Sequence, residues 1–337
     1  QSGLNAIWSQ VLEMLKQANV NDELSEIVAQ NDSAVPKEIL QAMKDKPVRL
    51  LIDMKTYSWS IRGESIKDGQ MEKIYNLEVK DLVEEKLAKL QQVINKTKKE
   101  NKVDVLTVLK EFSINHNGAL PFEGELILPL DLKYADTYVH IYYWNEKLAI
   151  LELKDIVKVN KEGKVIIPFD HASSYIITEQ ALLQPSVSSK LTVYTKQQSS
   201  IAVKNIIRNA KITYKSSNSK IASVNKDGEV TGKKAGSATI TVTINQGDKK
   251  YIGKTKITVK TSVFKFNKKT NQLKVGKSFT FTVTNNGYSK DVVWSTTDPL
   301  VATITKSGKL TAVKTGMVTV CATVEGKTIV WKVKIIK

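Results

Sequence analysis

Histidine is the residue most often used for metal binding and proton transfer near neutral pH, and this chain has three: His116, His140 and His171. They share no metal-ligand spacing, and neither a His-Glu-x-x-His signature nor a Cys/His cluster is present, so no metal and no cofactor is expected. A Gly-x-Ser-x-Gly elbow, a phosphate-cradling glycine loop and a dinucleotide fingerprint are also missing. His171 in FDHASSYIIT stands near Ser173 and Ser174, as a general base beside a hydroxyl nucleophile would. The stronger reading is a turn or core histidine where the last strand begins. Glu123, Glu125, Asp131 and Asp136 are close enough in sequence to act as the paired carboxylates of glycoside hydrolysis. The alternation in PFEGELILPLDLKYAD favours strands with the acids on the wet side. No catalytic residue is assigned, and the chain reads as a non-enzyme. Ligand contact is assigned to YVHIYYW, where strand alternation places Tyr138, His140, Tyr142 and Trp144 on one face and a row of rings can stack on a sugar. The competing reading of that face is core.

The elements around these residues form an α+β region. Leu4, Ile7, Trp8, Val11, Leu12 and Leu15 keep the spacing of one helix face, and a second helix starting at Pro36 carries Ile39, Leu40 and Met43. VRLLIDM and YSWSIRG read as two strands joined by a turn. Asp81 and Glu84 have capping-box spacing, which predicts a longer helix with Leu82, Val83, Leu87, Leu90, Val93 and Ile94 on one side, ended by NKTKKENK. An all-β stretch then runs from Val103 to Thr178, with a glycine turn at residues 160–163.

Beyond residue 180 the character changes. Residues 1–180 hold 23 Lys+Arg against 28 Asp+Glu, net −5, whereas residues 181–337 hold 28 against 6, net +22. A polyanion partner is one implication: nucleic acid, anionic lipid or the teichoic acids of a wall. The other is a solvated surface, because in GKTKITVK and WKVKIIK the lysines alternate with apolar residues and so fall on the wet face of half-buried strands. Nucleic acid is disfavoured, since Arg208 is the only arginine of this half and few aromatics interleave with its lysines. No apolar run is long enough to span a bilayer, and QSGLNAIWSQ lacks the basic stretch and apolar core of a signal peptide, so an exported protein would carry its signal and anchor outside these 337 residues. The single cysteine, Cys321, sits in MVTVCATV and reads as a small core residue.

The basic half repeats itself. At an offset of eighty, ITYKSSNSKIASVNKDGEVTGKKAGSATITV from Ile212 overlies VVWSTTDPLVATITKSGKLTAVKTGMVTVCA from Val292 without a gap, matching Tyr214 to Trp294, Gly228 to Gly308 and Gly236 to Gly316. Two copies of one fold follow, each with short alternating strands and frequent turns, as in a small β-sandwich. Gly228 and Gly308 are expected at the positive-φ position of a tight turn, and Tyr214 and Trp294 in the core. A calcium loop at NKDGE lacks the further carboxylates it would need.

These residues carry a resemblance. The pattern Trp/Tyr-x-Ser/Thr-Ser/Thr-Asn/Asp, followed by Ile/Val-Ala and the two glycines, resembles the bacterial immunoglobulin-like domain of group 2 in both copies. The resemblance implies extracellular modules, found in adhesins and surface enzymes, that act as spacers or binding units and have no catalytic residues. The first copy departs from it upstream, where only IAVKNIIRN precedes Tyr214, so its opening strands are shorter or rebuilt. Two earlier stretches, VPKEILQAMKDKPVRLLIDMKTYSWSIRGESI and YVHIYYWNEKLAILELKDIVKVNKEGKVIIPFDHASSYIIT, are similar to an uncharacterised domain of Gram-positive gut bacterial surface proteins.

The sequence thus predicts a multidomain, mainly β chain: an α+β region over 1–180, either one domain or two subdomains of about 1–70 and 71–180, followed by immunoglobulin-like β-sandwiches over 181–261 and 262–337. Its expected role is that of a monomeric, non-catalytic protein of the cell surface or wall, with the basic modules near a cell-wall polyanion. A carbohydrate-binding or host-adhesion fragment is the first alternative, and the head of a surface glycan hydrolase the second.

Overall fold

The computed structural model describes residues 4–27, 32–69, 71–72, 74–288 and 290–337. It comprises two compact units: Gln1–Ser186 with Lys204–Lys211 and Ile244–Tyr251, and Val187–Val203 with Ile212–Thr243 and Ile252–Lys337. The chain is mainly β, with an α+β N-terminal region followed by two immunoglobulin-like β-sandwiches.

The first unit, called here the head, is built on strands β1 (Glu23–Ile27), β3 (Arg49–Asp53), β4 (Ser58–Arg62), β6 (Val79–Asp81), β7 (Val108–Pro129), β8 (Tyr138–Asn145), β9 (Ile150–Lys158) and β10 (Lys164–Thr178). Their order is β1-β3-β4-β7-β10-β8-β9, with β6 also paired to β7; β2 (Ala34–Pro36) and β5 (Ile74–Asn76) form a separate ribbon. β3 and β4 are the predicted antiparallel pair. Helix α1 (Ala6–Gln17) starts where the Asn5 side chain accepts the Trp8 N–H, and it buries Trp8, Val11 and Leu15. Helix α2 (Lys37–Met43) starts after Pro36 and buries Ile39, Leu40 and Met43. Both helices cover one core with Trp59, Phe112, Phe122 and Phe169 of the sheet.

Helix α3 departs from its expected start. It runs from Glu84 to Asn101, with NKTKKENK forming its last turns and Lys102 ending it in the left-handed region. Lysines are favoured there because the last carbonyls leave negative partial charge at that end. The Asp81 cap does not form: Asp81 belongs to β6, and Val83 precedes the helix with no side-chain cap. Leu90, Val93 and Ile94 are buried in a second core. Val83 and Leu87 of the predicted face are exposed.

β7 does not keep step with β10. Ser174 pairs with Ser113 and Ala172 with Gly118, so residues 114–117 of β7 stand opposite Ser173 alone; a second excursion of residues 120–123 stands opposite Asp170. β8 also leaves β10, since their ladder starts at Tyr175 opposite Tyr143 and holds no pair for Ser173 or Ser174. Both neighbours of β10 therefore diverge around Ser173.

The two modules share an internal geometry. In the first, a sheet of Lys190–Tyr194, Lys249–Lys260, Gly236–Gln246 and Lys211–Ser216 belongs with a three-stranded sheet of Gln198–Ser200, Glu229–Gly232 and Ala222–Val224; in the second, Gln272–Lys274, Lys327–Ile336, Gly316–Val324 and Val293–Thr296 belong with Ser278–Thr280, Lys309–Ala312 and Ala302–Ile304. Ala222, Val230 and Ile240 are buried in one copy, and their counterparts Ala302, Leu310 and Val320 in the other. The second module adds a ladder of Val263–Lys268 against Thr282–Asn286, the upstream pair that the first copy lacks at that length. Cys321 corrects its sequence reading: Val320 and Ala322 point inward, so the half-buried Cys321 between them lies on the outer face.

Candidate functional site

The aromatic row of β8 is interior, which corrects the expected exposed platform. Tyr142 is 0% exposed, Trp144 3% and His140 5%, whereas Tyr138 is half-buried. Tyr142 and Trp144 lie in the core that α3 completes, with Leu151, Ile176 and Leu182, so no sugar can stack on their faces. The Tyr142 hydroxyl accepts the backbone N–H of Leu182 at 2.7 Å. A strand with both faces apolar is covered on both sides, and here the second cover comes from a helix lying before it in sequence.

His140 is held by its Nδ1, 3.2 Å from the Glu179 carbonyl. Burial pushes its imidazole below the ordinary range, and Lys249 adds to this, against the Glu179 carbonyl and Asp248. Its folded pKa is thus below the unfolded one, so its contribution to stability is complete above the ordinary imidazole pKa and is lost as the pH falls through the folded value. The urea midpoint should therefore drop more in the natural protein than in His140→Gln on going from about pH 7.5 to about pH 5.5. Equal drops would show that this ring does not carry the effect.

The candidate catalytic carboxylates do not converge. Glu125 pairs with Arg49 and Arg62, Glu123 with Arg208 at 2.9 Å, and Asp136 with Lys158 at 2.7 Å, while Asp131 caps the short helix Leu132–Tyr134 by accepting the Lys133 N–H. His171 does not pair with Ser174 either, because the Ser174 hydroxyl donates to Glu146 at 3.0 Å. Among the described residues no group of His, Cys, Asp and Glu has the makings of a metal site.

The divergence around Ser173 opens a cleft of about 690 Å³ in the head. One wall is the β7 excursion with Asn115 and His116, and another is the end of β8 and its turn, with Asn145 and Glu146. Burial pushes the Glu146 carboxyl up, but the Lys86 ammonium at 2.8 Å and the Ser174 hydroxyl outweigh it and hold it below its ordinary value. Two residues that line the cleft carry buried nitrogens, His116 Nε2 and Trp144 Nε1, that have no hydrogen-bonding partner among the described residues. An unsatisfied buried polar atom costs about 1–3 kcal/mol.

The second feature is electrostatic. The larger sheet of the first module contains no Asp or Glu, and Lys190, Lys215, Lys254, Lys256 and Lys260 are exposed on its outer side. Lys190 lies in register with Lys256. Like charges on neighbouring strands repel, so this arrangement costs stability in the absence of a counter-charge. The lysine alternation was legible in the sequence, whereas the partnering of Lys190 with Lys256 rests on a non-local parallel pair.

The family comparison agrees with the fold of this half. Residues 173–255 and 254–333 match the bacterial Ig-like domain (group 2), and the chain carries two tandem copies of it. An uncharacterized protein of Clostridium acetobutylicum is 32% identical over 120 residues, 34% of this chain, and the chain spans 12% of that protein's length. Among solved structures, domains 4 and 5 of the S-layer protein SbsC are 17% identical with a TM-score of 0.26, covering 45% of this chain and 96% of that one. Human protocadherin-24 EC1-2 is 13% identical with a TM-score of 0.23, covering 45% and 97%. Among the described residues no helix is long and apolar enough to cross a membrane.

Proposed function

We propose that the chain is a non-catalytic part of a bacterial cell-surface protein, in which the immunoglobulin-like modules carry the head and the lysine face of the first module associates with an anionic wall polymer. The observation that carries this reading is the acid-free sheet with Lys190, Lys254, Lys256 and Lys260 on its exposed side. A polyphosphate chain laid on that face would relieve the repulsion between Lys190 and Lys256 and would bind without a shaped pocket. Poly(glycerol phosphate) is the direct probe. The full chain should bind it and melt at a higher temperature in its presence, and both effects should fade as salt shortens the screening length to about 8 Å at physiological ionic strength. Replacing the four lysines with glutamine should remove the salt-dependent part. Binding that ignores salt, or survives the fourfold replacement, would sink the reading.

A further inference from the structure

We propose that the cleft around Ser173 in the head is a binding site for a neutral, hydroxyl-rich ligand of the saccharide class, distinct from the lysine face and independent of it. Its volume of about 690 Å³ lies within the range of small-ligand sites, roughly 300–1,000 Å³. The cleft exists because β7 spends residues 114–117 opposite the single residue Ser173, which removes the ladder partner on that side of β10.

The donor and acceptor inventory selects the ligand. The Trp144 indole N–H can only donate. His116 turns Nδ1 toward Glu72 at 3.8 Å; with the proton on that nitrogen, Nε2 is an acceptor. Neither Trp144 Nε1 nor His116 Nε2 has a partner among the described residues, so the residues of the wall hold, just beneath its surface, one unmet donor and, in that tautomer, one unmet acceptor. A hydroxyl group gives and accepts at once, whereas an ionised phosphate oxygen only accepts and an ammonium only donates. Asn115 and Ser173 extend the same mixed character along the wall and floor. Charge argues the same way: Glu146 is ionised and matched by Lys86, so an incoming anion meets a carboxylate, and only Lys147 at the exposed rim stands outside that pair. The rings of His171 and Tyr143, in edge contact at 5.7 Å, add flat surface for the C–H face of a sugar.

Two unsatisfied nitrogens on one cleft weaken the fold without serving it, and such a cost is typical of a site shaped for a ligand. The test uses the full chain and ligand-observed NMR with cellobiose, maltotriose and N,N′-diacetylchitobiose at millimolar concentration, with inorganic phosphate as the charged comparison. At least one sugar is expected to bind in preference to phosphate. His116→Phe should weaken it about tenfold while the melting temperature holds or rises, because the ring against Tyr75 is kept and an unpaired polar atom is lost. Ser173→Trp, placed at the half-buried floor, should abolish binding by filling the cleft. Binding of none of the three sugars, a preference for phosphate, or sugar binding that survives Ser173→Trp would overturn the proposal.

Discussion

Alanine at Gly308 should destabilise the second immunoglobulin-like module by about 2–4 kcal/mol, a loss that combines left-handed backbone strain with overpacking. Gly308 has φ +79°, closes its turn by donating to the Thr305 carbonyl at 3.0 Å, and lies beneath Trp294. A β-carbon there would come within 2.8 Å of the Phe281 carbonyl oxygen and 2.9 Å of the indole ring. Neither neighbour can give way cheaply, since one is backbone and the other is a half-buried ring packed against the core residue Phe281 and on Phe266. Gly326 separates the two contributions: its φ is also +79°, but nothing lies within 4 Å of the position a β-carbon would take. Gly326→Ala should therefore cost only about 1–2 kcal/mol, the backbone part alone. Calorimetry of the full chain should show the second module's transition shifted by about 10 °C or more for Gly308→Ala, and clearly less for Gly326→Ala. Equal shifts would mean that Trp294 does not press on the turn.

The same geometry explains why the repeat was so legible. Gly228 repeats the arrangement of Gly308, with φ +80° and the Tyr214 ring 2.7 Å from a β-carbon position, so glycine and aromatic are two halves of one contact. Gly236 and Gly316 answer to Ile221 and Val301 in the same way, each 3.1 Å from the β-carbon that glycine omits. The polar residues between are also structural. The hydroxyls of Ser216 and Thr296 donate to the carbonyls of Ala222 and Ala302, and the side chains of Asn218 and Asp298 accept the N–H groups of Lys220 and Leu300. A motif made of local turns and contacts can be read from sequence because its reasons are local.

The head was less legible because its reasons are not local. Alternation identified the strands but not the register between β7 and β10, so the excursion that opens the cleft was invisible, apart from turn-forming residues ending in Gly118 inside an apparent strand. The face of Cys321 depended on which alternate residues, Val318 and Val320 or their neighbours, met the opposite sheet. The period of β8 was read correctly, yet what covered it came from α3, a helix whose start was assigned to the wrong residue.

Tyr142 provides the sharpest measure of that cover. If the ring belongs to the core, Tyr142→Ala should cost the head about 3–5 kcal/mol, the usual loss for a large aromatic removed from a packed interior. The hydroxyl adds a separate effect. Burial pushes the phenol up to about 12, so it stays neutral at working pH and accepts from the N–H groups of Leu182 at 2.7 Å and Leu183 at 3.3 Å. Tyr142→Phe keeps the ring but leaves the buried Leu182 N–H without its acceptor, which should cost about 1–3 kcal/mol. The graded pair, Phe smaller than Ala and both destabilising, is the signature of a packed, hydrogen-bonded core residue, and urea unfolding followed by circular dichroism measures it. An exposed sugar platform would give the opposite pattern: nearly unchanged stability in both variants, with sugar affinity lost in Tyr142→Ala alone. That result would reopen the aromatic row as a binding face and would mean that Leu90, Val93 and Ile94 of α3 do not seal it.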